Sequence, residues 1–179
     1  GGVISRLTAM DRAALVKKES DYLEERNKIL TSSQGLELAR TEAEKIFLKT
    51  QEICKNISDD YGLEIKIGKT HKWIILTDDQ MSVQITWEQQ LATSAKQFHI
   101  IIKKDRGRLQ LPGESLFYRN GAPVKVDSFS FVPEVSADLE FCWIRKGNHK
   151  QYFKVDDIAD MAVSIFLESI RANNRQENG

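Results

Sequence analysis

Nothing in this chain is built to cross a bilayer as a helix. No apolar run approaches the roughly 18 residues such a span needs, and no signal-peptide pattern stands near the start. Cysteine is scarce: Cys54 and Cys142 are the only two, each at an apolar position of a predicted helix or strand. That reads as two buried reduced thiols, not a disulfide framework, and sets the expectation of a cytoplasmic protein. Excess charge is also absent. Lysine and arginine number 26 against 26 aspartates and glutamates, so no global field draws the chain to nucleic acid or an anionic membrane, and any such binding falls to a local patch.

Catalytic and cofactor signatures are missing as well. Gly113-Glu114-Ser115-Leu116-Phe117 lacks the second glycine of a strained nucleophile elbow, which leaves Ser115 as a loop serine. Neither kind of phosphate-cradling glycine loop occurs. His71, His99 and His149 lie far apart, and none sits two or four residues from another, as shared metal ligation from one element requires. Glu64-Ile65-Lys66 puts a carboxylate and a lysine on one face of a predicted strand, as some metal-dependent nucleases do, but no acidic strand precedes it. The expectation is a non-enzymatic chain with no metal and no cofactor.

What is present is an ordinary globular composition, 41% apolar and 29% charged over 179 residues, enough for one domain with a real core plus a helical extension. The opening Gly1-Gly2, without an initiator methionine, reads as a cloning scar or the cut edge of a longer protein. The division expected is a helical extension over residues 1–33, one α+β domain over 34–172 and a flexible tail over 173–179.

The most apolar helical stretch, residues 155–171, carries Ile158, Met161, Ala162, Ile165, Phe166, Ser169 and Ile170 at helical spacing, widened by Val163 and Leu167. A helix so apolar must be covered, and the strand-rich middle of the chain is the partner at hand. Asp156, Asp157 and Asp160 at its start suit capping and compensation of the helix dipole.

Earlier, residues 5–30 form a charged helix in which Leu15/Val16, Tyr22/Leu23 and Ile29/Leu30 recur every seven residues. Glu19 and Arg26 occupy the positions where a coiled-coil seam needs a second apolar row, so the stripe is narrow and touches a partner lightly. A break over residues 31–35 leads to a second helix from about Leu36, with Ala39, Ala43, Ile46, Phe47, Thr50, Ile53, Cys54 and Ile57 on one face and Gly62 as its cap.

From Leu63 the period changes to two. Strands are predicted over residues 63–67, 71–77, 81–87, 98–102, 124–132, 139–145 and 151–154. Turns fall at Asp78-Asp79, at residues 104–107, at Asn120-Gly121 and at Gly147-Asn148. Pro123 marks the strand after it as an edge, and Pro133 separates two strands. Connections this short make the sheet mostly antiparallel. The fold expected is α+β: an N-terminal helix pair, then a six- to eight-strand meander packed on a buried C-terminal helix.

Two functional readings follow. In the first, the chain is a protein-interaction or regulatory module whose first helix, through Leu15, Val16, Tyr22, Leu23, Ile29 and Leu30, binds a protein partner or another copy of itself. In the second, nucleic acid binds at basic hairpin tips. Residues 61–154 carry 14 basic and 10 acidic side chains, and Lys96, Lys103, Lys104, Arg106 and Arg108, with Arg145, Lys146 and Lys150, form two clusters. Such residues also solubilise a sheet and blunt its edges. A third reading places a small-ligand or hydrolytic pocket between the sheet and the last helix, lined by Phe129, Phe131, Phe141, Trp143, Tyr152 and Phe153.

Overall fold

The computed structural model describes residues 8–89, 93–114 and 123–178. Two helices, α1 (Ala9–Thr31) and α2 (Ser33–Tyr61), precede seven strands: β1 (Lys66–Lys69), β2 (Trp73–Thr77), β3 (Met81–Glu88), β4 (His99–Arg106), β5 (Val124–Val135), β6 (Phe141–Arg145) and β7 (Asn148–Phe153). Helix α3 (Val155–Asn178) closes the chain. The strands form one antiparallel sheet in sequence order, a plain meander, with α2 and α3 packed together on one face. The fold is α+β.

Alternation along the strands decides which face is covered. Ile74 and Leu76 of β2, Val83 and Ile85 of β3, Ile100 and Ile102 of β4, Phe131 of β5 and Trp143 of β6 point into the core. There they meet Leu36, Ala39, Ala43, Ile46, Phe47 and Cys54 of α2 and Ile158, Ala162, Val163 and Phe166 of α3. Each fully buried Val, Leu, Ile or Phe among them contributes roughly 1.5–3 kcal/mol of transfer free energy. The hydroxyls that the helices turn inward are satisfied within their own helices: Thr50 donates to the Ile46 carbonyl at 2.7 Å and Ser169 to Ile165 at 2.6 Å. Burial pushes the Cys54 thiol up to about 12 and Cys142 to about 11, and both are free thiols.

Several boundaries differ from the sequence reading, each for a local reason. The α1 to α2 reversal takes a single residue: Ser32 ends one helix and caps the next, accepting from Gly35 N–H at 3.0 Å. Helix α2 therefore starts at Ser33. It ends as expected at Gly62, whose φ of 67° is the left-handed conformation a glycine cap supplies. An irregular link follows, so β1 begins at Lys66 and Glu64-Ile65-Lys66 does not share a strand. Strand β4 continues through Lys104, Asp105 and Arg106, which the sequence reads as a turn; the chain turns instead at Gly107, φ 110°. Helix α3 runs through the stretch read as a tail, with Asn173 donating to Gln80. The Asn120-Gly121 hairpin signal and Ser115 lie outside the described residues.

The prolines depart furthest from the sequence expectation. Pro123 precedes β5, which is an interior strand between β4 and β6. Pro133 lies within β5, opposite Trp143. The pairing of β4 with β5 stops at Phe131, while β6 pairs with β5 on to Val135. Since Ser130 accepts from Lys146 on the β6 side, alternation turns Pro133 and Val135 the other way, past the end of β4. The missing N–H of Pro133 thus faces a local free edge.

On the opposite face of the sheet, residues 107–114 fold back as a strap. Leu111 and Pro112 lie against Gly68, where an added Cβ would come within 2.8 Å of one and 2.7 Å of the other. The strap is held by Arg108, whose buried guanidinium bonds both Asp79 and Glu114. Lys66 donates to Asp79 at 2.7 Å, and this bond, with Arg108 beside it, holds the Asp79 carboxyl below its usual range.

Candidate interaction surface

The free edge of β5 is where α1 docks. The Tyr22 hydroxyl donates to the Val135 carbonyl at 3.0 Å, and Arg26 grips Glu134 through two parallel bonds of 2.7 and 2.9 Å. Below them Ile29 is half-buried and Leu30 is only 5% exposed. Everything that anchors α1 lies from Tyr22 onward.

Its other half stands free. A capping box, with Thr8 Oγ1 accepting from Asp11 N–H and the Asp11 carboxylate accepting from Thr8 N–H, both at 3.1 Å, starts the helix cleanly. The Thr8 hydroxyl, which donates to the Asp11 carboxylate at 2.7 Å, and then the Thr8 N–H hold that carboxyl below its ordinary range. Every residue from 8 to 21 is exposed. Leu15 is 53% exposed, Val16 66% and Leu23 52%. The same narrow stripe that buries Leu30 and half-buries Ile29 and Tyr22 therefore runs outward past the end of the sheet with no cover. Beside it, Ala14, Lys18 and Tyr22 face Ala137 and Leu139 of the β5–β6 turn across a cleft of about 480 Å³.

Compared with family models, with curated proteins and with solved structures, the chain matches none. The functional reading therefore rests on geometry.

Among the described side chains, the basic residues do not assemble into one surface. Arg108 is turned inward between its carboxylates. Alternation splits the β4 cluster: Lys104 pairs opposite core residue Val83 and lies with Arg106 beside Ser169 and Asn173 of α3, while Lys103 is on the other face, 3.6 Å from Glu88. Lys96 is exposed in the 3₁₀ turn Ala95–Gln97. Arg145 lies over the Phe129 ring at 4.9 Å. Lys146 is exposed near His99. The side chains of Lys150 and His149 lie outside the described ones. Arg145 is level with Phe131 and Ile100, whereas Arg106 is level with Val124. Six residues of strand rise separate the two tips, roughly 20 Å.

The aromatic residues read as a pocket lining mostly fill the interior. Phe131 meets Phe153 edge-on at 5.2 Å and Phe141 meets Trp143 at 5.3 Å, while Tyr152 is half exposed. An open groove of about 750 Å³ does run between Leu48, Lys45 and Lys49 of α2 and the first turn of α3, floored by Phe141 and Trp143. The Trp143 Nε1 is buried without a hydrogen-bond partner among the described residues. Lys45, Lys49 and Lys154 share its lining with Glu42, Glu52, Asp156 and Asp157, so the groove favours no ligand charge strongly. Among the described residues no three His, Cys, Asp or Glu side chains converge as metal ligands.

By spacing alone Tyr22 belongs to the apolar stripe and Arg26 interrupts it. Both are anchors to the chain's own β5. No local signal marks this, because the partners lie more than 100 residues away.

Proposed function

We propose that the chain is a protein-interaction module in which the sheet and α2–α3 layer form a rigid mount and the free half of α1 is the docking arm. One observation carries this: an apolar stripe that is buried at Leu30 continues, uncovered, to Leu15, Val16 and Leu23 on a helix capped to persist without tertiary support. An exposed helix of this kind gains most of its stability from packing its apolar face. Nucleic-acid binding has less support, since the basic tips lie roughly 20 Å apart in strand register and Arg108 is spent on internal carboxylates.

A photo-reactive side chain placed at position 16 tests the reading in cells, with the exposed Leu48 position as control. Discrete adducts at 16 and none at 48 are expected, whether to this chain or to another protein. Adduct yield at 16 no higher than at 48 overturns the docking-arm reading.

A further inference from the structure

The free half of α1 carries two opposite charges placed symmetrically about an apolar centre. Residues 8–23 are centred between Leu15 and Val16. Three residues before Leu15, on the stripe, is Arg12; three residues after Val16, also on the stripe, is Glu19. Neither side chain has an ion-pair partner among the described residues, although both are exposed on a helix rich in charge. Seven-residue spacing puts Arg12, Glu19 and Arg26 in one row along the seam. Arg26 is used on Glu134 and the other two are not.

We propose that this arm binds a second copy of itself, antiparallel, about a two-fold axis through Leu15 and Val16. The proposal rests on the docking-arm reading and names the partner. In this register Leu15 and Val16 of one copy lie on Val16 and Leu15 of the other, and Arg12 of each meets Glu19 of the other. Two reciprocal ion pairs then flank a small apolar centre, the self-complementarity a two-fold interface requires. A parallel pair would set Arg12 against Arg12 and Glu19 against Glu19, so charge alone selects the antiparallel orientation. The overlap reaches the start of the anchored half, at Tyr22 and Leu23.

Sixteen residues of helix span about 24 Å, and a contact of that length buries less than the roughly 1,200–2,000 Å² of a standard stable interface. The dimer is accordingly weak and reversible, with a Kd on the order of micromolar to tens of micromolar, and it weakens with salt.

The test is sedimentation velocity of the whole chain from about 1 μM to about 1 mM at low salt, on wild type, Arg12→Glu, Glu19→Arg, the double swap, and an equimolar mixture of the two single variants. Each single variant turns both ion pairs repulsive and weakens the dimer about tenfold or more. The double swap and the mixture restore it, because both return opposite charges to facing positions. A wild type that stays monomeric throughout, or a double swap no better than the singles, overturns the self-pairing. Position-16 adducts to a different protein would then still uphold the docking arm, so the two claims fail separately. Circular dichroism of each variant shows that the fold is intact, since neither position contacts the core.

Discussion

The Tyr22 hydroxyl donates to the Val135 carbonyl across 113 positions of sequence, closing the one stretch of β5 that runs past β4. Tyr22→Phe keeps the ring and removes this bond, so the cost is about 0.5–1.5 kcal/mol, at the low end because water can reach the freed carbonyl at an edge. Amide exchange in residues 22–30 should accelerate while that in α3 does not. Equal exchange in both would mean that Tyr22 does not pin α1.

Gly35 is the residue that lets α1 and α2 reverse over one position. A Cβ there would lie 1.6 Å from the Ile29 carbonyl oxygen and 2.7 Å from its carbon, and both are backbone. Neither atom can yield as a side chain would. Gly35→Ala should destabilise by about 3 kcal/mol or more, read as a lower denaturant midpoint, with α1 released from the domain. A wild-type midpoint would refute the packing described for the reversal.

Gly68 tests the strap in the same way. Gly68→Ala drives a methyl group against Pro112 and Leu111, at a cost of about 1–3 kcal/mol. Trypsin should then cut after Arg108 faster than in wild type, because the guanidinium that lies between Asp79 and Glu114 is freed. Unchanged cutting would show that the strap moves without exposing Arg108.

His99 predicts the pH response. Burial lowers its pKa, the nearby Lys146 lowers it further, and Glu88 only partly opposes them. The unfolded chain then binds a proton more readily than the folded one, about pH 6.5 being the unperturbed value. Stability from this group is complete above that value and falls as pH drops below it through the depressed folded pKa. His99→Gln should flatten the fall in denaturant midpoint between about pH 6.5 and 5. Parallel profiles for the two proteins would remove His99 from the account.

Much of this architecture can be read locally. Alternation at Ile74/Leu76, Val83/Ile85 and Ile100/Ile102 picks out the covered face, helical spacing finds α2 and α3, and Gly62 marks its own cap. These features depend on neighbours a few residues apart. The misread ones depend on register. Whether Pro133 sits at an edge is decided by where β4 stops, the separation of the basic tips by the length of β4 between Ile100 and Arg106, and the burial of Arg108 by a strap closing over Gly68. The α1 stripe was legible as a stripe, but its division into an anchored half and a free half was not. That division is set by the length of β5.

The most direct measurement of the central claim is amide hydrogen exchange over residues 9–21, compared between dilute and concentrated protein. If the free half of α1 is a self-docking arm, protection there rises with concentration and is lost in Arg12→Glu, while the α2 and α3 amides stay unchanged. Equal, rapid exchange over residues 9–21 at both concentrations would contradict it.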